Sequence, residues 1–276
     1  MTNEVYCCLQ ILGFLFHFSI AEPIRGDNVV MANEGEFPFV AALIKKTNCS
    51  NVERGLICTG VLISERLVLT AAHCFEKVSL DDMQIVLGSV DLRHGVRYDV
   101  SKRITYNEWA EIEGVHKAII KNDIAVIKLS EKVHKNVSIS AEFSYKKRSK
   151  LENRNVTMLG WGHTSLSSNR TVRYLRKTIL TVLTSEECQQ KIHELINETV
   201  HVEDSVFCTK AEPFATSGCG DSGGPILTEK QKLVAINLGV CPEYTALLPH
   251  QMNNVVNVHT GVYYYNTFIL DMLWYF

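Results

Sequence analysis

Apolar residues in this chain fall into short runs separated by polar or glycine-bearing turns. They occupy positions 39–44, 56–58, 61–63, 67–70, 84–87, 124–127, 156–159, 179–182 and 233–236. Runs this short, closed off by turn residues, predict β-strands, and a series of them predicts an all-β sandwich or barrel. Thr59 and Gly60 stand between the second and third runs. Two stretches have helical period instead. Ser185 is an N-cap candidate with Glu186 and Glu187 behind it, and Cys188, Ile192, Leu195 and Ile196 then share one face. Phe268, Met272 and Tyr275 space a second helix within residues 265–276. The polar segment 144–155 reads as a connector between two halves.

The first apolar run differs from the rest. Residues 7–20 are interrupted only by Gln10, His17 and Ser19, and Ser19 and Ala21 are small residues where signal peptidase reads the chain. A membrane-spanning helix needs roughly 20 apolar residues, so this run is short for one. Residues 1–21 therefore read as a secretory signal, although the segment ahead of the run carries Glu4 and no Lys or Arg. Nothing later resembles a stop-transfer segment or lipid anchor, so no membrane association is expected after signal removal. Sequons at Asn48, Asn136, Asn155, Asn169 and Asn197 agree with a secreted glycoprotein. Beyond the signal stand Cys49, Cys58, Cys74, Cys188, Cys208, Cys219 and Cys241. No two are spaced C-x-x-C and no histidine cluster accompanies them, which favours an oxidised framework with one cysteine left over rather than zinc. The formal charge is −2 with no basic stripe, which argues against nucleic acid as a partner.

Three strings carry candidate chemistry. In Gly220-Asp221-Ser222-Gly223-Gly224-Pro225 a serine is flanked by glycines, so backbone can approach a substrate carbonyl and positive φ is affordable. The N–H groups of Gly220 and Ser222 could then point at one oxygen and stabilise a tetrahedral oxyanion. In Leu69-Thr70-Ala71-Ala72-His73-Cys74 small residues let an imidazole lie against backbone, and the adjacent cysteine can fix the chain. Asp123 opens the apolar run 124–127. A carboxylate there is partly buried and needs a partner, for which His73 is the candidate.

Together these strings resemble the chymotrypsin-like (S1) serine protease family, from about Arg25 to the C-terminus. Gly160-Trp161-Gly162, Gly261-Val262-Tyr263 and Gly35-Glu36-Phe37-Pro38 match further family strings. The resemblance implies two six-stranded antiparallel β-barrels and a C-terminal helix, with the N-terminal barrel at about 26–145, the C-terminal barrel at about 150–262 and the helix at 265–276. It implies Ser222 as nucleophile, His73 as general base and acid, Asp123 as the group orienting the imidazole, and Gly220 and Ser222 as oxyanion donors. It implies no metal or organic cofactor. Protein or peptide substrates, an activating protease and protein inhibitors are the implied partners. The implied disulfides are Cys58–Cys74, Cys188–Cys208 and Cys219–Cys241, which leaves Cys49. The implied zymogen has a propeptide of residues 22–25, is cut after Arg25, and pairs its new terminus at Gly26 with Asp221.

Four features depart from the family pattern. Cys219 abuts Gly220, where one residue usually intervenes. Asn237-Leu238-Gly239 replaces Ser-Trp-Gly, so Leu238 stands for the usual Trp wall. The segment from Cys241 to Gly261 is longer than usual, and no Ile-Val-Gly-Gly start is evident. The pocket floor aligns with Ser217 or Thr216, and Gly239 and Gly261 match open wall positions, which together imply a non-tryptic, chymotrypsin-like preference. Two functions remain: a secreted serine endopeptidase, or a catalytically silent homologue that acts as a secreted binding or regulatory protein. Arg25-Gly26-Asp27 also spells an adhesion tripeptide, a match short enough to arise by chance.

Overall fold

The computed structural model describes residues 24–26, 28–46, 52–76, 78–115, 122–165, 168–199, 201–241 and 254–276. The signal segment, Glu22, Pro23, Asp27, the Asn48 sequon, Cys49 and most of the long insertion (242–253) lie outside the described residues.

Six strands close the first barrel: β1 (Val40–Lys45), β2 (Leu56–Leu62), β3 (Leu67–Thr70), β4 (Met83–Leu87), β5 (Val96–Thr105) and β6 (Ala125–Leu129). Their order is β1-β2-β3-β6-β5-β4, and β4 returns to β1. The second barrel uses β7 (Asn155–Gly160), β8 (Arg176–Val182), β9 (Val206–Lys210), β10 (Pro225–Thr228), β11 (Leu233–Cys241) and β12 (Val256–Gly261). Its order is β9-β12-β11-β10-β7-β8, closed by β8 pairing with β9. Every pair in both barrels is antiparallel.

Side-chain alternation explains which residues fill the barrels. In β8, Thr178, Leu180 and Val182 are buried while Ile179 faces out, the period-2 pattern of a half-covered strand. The two runs 56–58 and 61–63 belong largely to one strand, β2. Thr59 and Gly60 continue it by pairing with Ala42 and Ala41 of β1, and a Cβ on Gly60 would lie 2.9 Å from Val68 Cγ1, so a larger residue there would force its neighbour to shift. The first core gathers Leu43, Val61, Leu69, Ile85 and Val126. The second gathers Met158, Leu180, Phe207 and Ile226.

The described residues contain three α-helices. The first, α1 (Tyr106–Ile112), escapes the apolar pattern, yet Thr105 and Glu108 form a capping box at its start. In α2 (Ser185–Ile196) the N-cap is Thr184 rather than Ser185: its hydroxyl accepts from Glu187 N–H, and the Glu187 carboxylate accepts from Thr184 N–H. The box needs an acidic residue three positions on, which Thr184 has and pairs reciprocally. In α3 (Asn266–Tyr275), Phe268, Ile269 and Met272 are buried. Tyr275 is 86% exposed because the helix ends there and its face has passed the barrel. No helix among the described residues is long and apolar enough to cross a membrane.

Candidate active site

His73 lies in the 3-10 turn Ala72–Phe75 that leaves β3, and Asp123 immediately precedes Ile124 and β6, the neighbour of β3. Sheet pairing therefore brings the two together. One carboxylate grips both the backbone and the ring: His73 N–H donates to Asp123 Oδ1 at 2.9 Å, and His73 Nδ1 lies 2.6 Å from Oδ2. Ala72 N–H also donates to this carboxylate. Behind it, Thr260 Oγ1 donates to the Asp123 carbonyl at 3.4 Å, and Tyr265 Oη donates to Asn122 Oδ1 at 3.0 Å. The second barrel thus buttresses Asp123 through Thr260, and the start of the C-terminal helix buttresses its neighbour Asn122. With Nδ1 donating to Asp123, Nε2 keeps its lone pair and can accept a proton.

Burial disfavours the imidazolium, but the Asp123 charge and hydrogen bond outweigh it and hold the His73 pKa above its ordinary value. Burial likewise works against the Asp123 carboxylate, and here His73 and the backbone donors win, so its pKa is lowered. The Cys58–Cys74 disulfide, with Cα atoms 6.1 Å apart, locks the turn carrying His73 onto β2. Cys58, His73 and Cys74 come close enough to hold a metal ion, but that disulfide consumes both sulfurs.

The Ser222 turn is clamped between the barrels. Thr59 N–H of β2 donates to the Ser222 carbonyl at 2.9 Å, and Thr59 Oγ1 donates to the Gly220 carbonyl at 2.7 Å. From β11, Asn237 N–H donates to Gly224 O and Gly223 N–H to Asn237 O, both at 2.7 Å, while Asn237 Nδ2 donates to Asp221 O at 3.2 Å. Gly220 and Gly223 have φ of +91° and +77°. A Cβ at Gly223 would come within 2.2 Å of Thr70 Oγ1. The glycines are required because the turn presses directly on the first barrel, the barrel that carries His73. Thr59 and Asn237 escape the sequence reading. Both are polar residues inside buried strands, where a polar group needs a partner, and Asn237 also stands at one of the departures from the family pattern.

Asp221 is fully buried beneath this turn. Its carboxylate accepts from Gly162 N–H at 2.8 Å and Gly218 N–H at 3.0 Å, and also from Ile24 N–H. A Cβ at Gly160 or Gly162 would meet Asp221 Oδ1 at 2.0 Å or Oδ2 at 2.5 Å, which explains the glycines around Trp161. Burial raises the Asp221 pKa to about 7 despite these donors.

The residue facing Asp221 is therefore Ile24 rather than Gly26. The short strand Arg25–Gly26 pairs with Ala215–Thr216, and Ile24, 1% exposed, sits in the second core beside Met158, Leu180 and Phe207. A Cβ on Gly26 (φ +140°) would lie 1.8 Å from Phe214 O, so glycine is needed at that place in the strand.

The pocket region also differs from expectation. Thr216 and Ser217 are both buried, and neither is charged. Leu238 is buried in the cluster with Cys188, Val256 and Val258. Gly261 is not a pocket wall: it pairs with Ala235, whereas Val258 stands opposite Gly239 and Asn257 opposite Val240. The buried Asn257 side chain reaches from β12 to the floor segment, accepting from Ser217 N–H at 2.7 Å and donating to Ala215 O at 3.1 Å. A matching string of glycine, valine and tyrosine drew the assignment to Gly261, and strand register moves it four residues back.

Cys188 and Cys208 are disulfide-bonded, with Cα atoms 5.9 Å apart. Cys241 is also disulfide-bonded. Cys219 is exposed immediately before Gly220, while Cys241 is buried at the end of β11.

Comparison with known proteins agrees with this fold. Residues 27–269 match the trypsin family. A venom serine protease of Polistes dominula is 31% identical over 212 residues, covering 74% of this chain and 70% of the wasp protein. Mouse neuropsin has the same fold at 19% identity, with TM-score 0.66 over 88% of this chain and 97% of that one. An inactivated scabies mite protease paralogue matches at 21% identity, with TM-score 0.70 over 89% and 96%.

Proposed function

Since the chain belongs to the trypsin family of serine proteases, we propose that it is a secreted endopeptidase that hydrolyses peptide bonds through an acyl-enzyme on Ser222. The observation that carries this reading is the double grip of Asp123 on His73, with the Ser222 turn bonded to the same barrel. Ser222 Oγ attacks the scissile carbonyl as His73 Nε2 takes its proton. The N–H groups of Gly220 and Ser222 receive the oxyanion. His73 then returns the proton to the leaving amine, and water repeats the sequence to free the acyl group. Asp123 stays ionised throughout and holds the ring. Secretion is supported by the signal-like leader and by disulfides suited to an oxidising compartment.

The proposed preference is non-tryptic, because neither Thr216 nor Ser217 carries a charge for a Lys or Arg side chain. The bridging Asn257 shortens the pocket, which moves the preference from large aromatic side chains towards Leu and similar residues. Asn257→Gly should therefore raise kcat/KM for Phe and Tyr substrates relative to Leu by about 10-fold or more, within the range that pocket contacts supply. A peptide panel read with both proteins checks this. An unchanged ratio, or parent cleavage fastest after Arg or Lys, contradicts the assignment.

The second reading, a silent homologue acting by binding, is favoured by one observation. Asn237 Oδ1, directly behind the Ser222 turn, is buried with no hydrogen-bond partner among the described residues, a cost that weakens the support of that turn.

A further inference from the structure

The bond that must open for Ile24 to become a chain terminus joins it to Pro23, and Pro23 is not a residue that a trypsin-like activator recognises. Ala21 ends the signal-like leader, so signal cleavage leaves Glu22-Pro23 ahead of Ile24. We propose that this Glu-Pro dipeptide is the entire propeptide, removed by an X-Pro dipeptidyl peptidase, and that the freed Ile24 amine is the group that pairs with Asp221. The proposal rests on the peptidase reading and on a leader ending at Ala21.

The geometry around Ile24 selects this cut over the one after Arg25. Ile24 fills a core site, its N–H already points at Asp221, and Arg25 and Gly26 are zippered to Thr216 and Ala215. Cutting after Arg25 would discard the buried side chain. It would also leave the new amine two residues short, a reach of about 7 Å along an extended strand. Gly26 offers no apolar side chain to fill the vacated site.

The chemistry has a fixed order. Signal cleavage between Ala21 and Glu22 supplies the free α-amine that a dipeptidyl peptidase requires. Water then adds across the Pro23–Ile24 peptide bond, releasing Glu-Pro with a new carboxylate and leaving Ile24 with an ammonium group. Before that step the Ile24 nitrogen is a neutral amide that offers Asp221 a hydrogen bond but no opposite charge, so the docked segment is held less firmly than after it. After it, the ion pair and the buried side chain hold the terminus in place. A partner that cleaves after basic residues has no part in this route.

The test uses the full chain expressed through a secretory pathway. Its terminus is read by mass spectrometry before and after treatment with a purified X-Pro dipeptidyl peptidase, with trypsin in parallel. The expected product begins at Ile24, its α-amine resists acetylation while exposed lysines react, and labelling by a fluorophosphonate rises at least tenfold. Pro23→Leu should block the conversion and leave the chain starting at Glu22. Conversion to Ile24 with a protected amine but no rise in labelling supports the processing site and counts against the peptidase reading instead. A Glu22 form that resists the dipeptidyl peptidase, an Ile24 amine that acetylates as fast as the lysines, or an active species starting at Gly26 overturns the proposal.

Discussion

Ser222→Ala should lower kcat for peptide hydrolysis by up to about 10⁶-fold while the protein stays folded. The loss is large because the nucleophile and the base act as one unit: without Oγ, His73 has no proton to accept and no acyl-enzyme forms. The substitution removes a single oxygen from a partly exposed position. The bonds that build the turn run through backbone, from Thr59 to the Ser222 carbonyl and between Gly223, Gly224 and Asn237. Thermal denaturation should therefore match the parent while activity falls. An alanine variant that retains more than a thousandth of parental kcat would remove Ser222 from its role.

Asp123→Asn is expected to cost about 10⁴-fold in kcat, the magnitude this change carries in the family. An amide at this site turns the ring to the wrong tautomer and cannot stabilise the imidazolium. The pH profile adds a readout that simple misfolding would not give. His73 must be neutral to act as a base, so activity falls as pH drops through its pKa. In the parent that pKa is raised: burial pulls it down, but the Asp123 charge and hydrogen bond outweigh burial. The acid limb of kcat/KM should accordingly lie above the ordinary histidine value of 6.5. The asparagine variant keeps the burial and loses the charge, so its residual activity should show an acid limb shifted to lower pH. A limb that stays in place would show that Asp123 does not control His73.

The three chemical strings were legible because each concentrates its information in a few adjacent residues. Glycines around Ser222, small residues before His73 and an acidic residue at a strand start all state their constraint locally. The barrels were legible as short apolar runs, but β5, with Arg97, Asp99, Lys102 and Arg103 on its open side, has too little apolar pattern to announce itself. What sequence could not place depends on register and on distant contacts. Gly26 and Ile24 differ by two residues, and only pairing with Ala215–Thr216 tells which of them meets Asp221. Gly261 looked like a pocket wall until β11 and β12 were aligned, when Asn257 took that ground through bonds to a segment about 40 residues earlier.

The central claim is that Ser222, His73 and Asp123 form a working charge-linked nucleophile. Incubating the processed protein with a serine-directed fluorophosphonate and mapping the adduct by peptide mass spectrometry tests it most directly. The account predicts one stoichiometric adduct on Ser222, abolished by Ser222→Ala and slowed as pH falls through the His73 pKa. A processed protein that starts at Ile24, folds, and takes no label at Ser222 would contradict it.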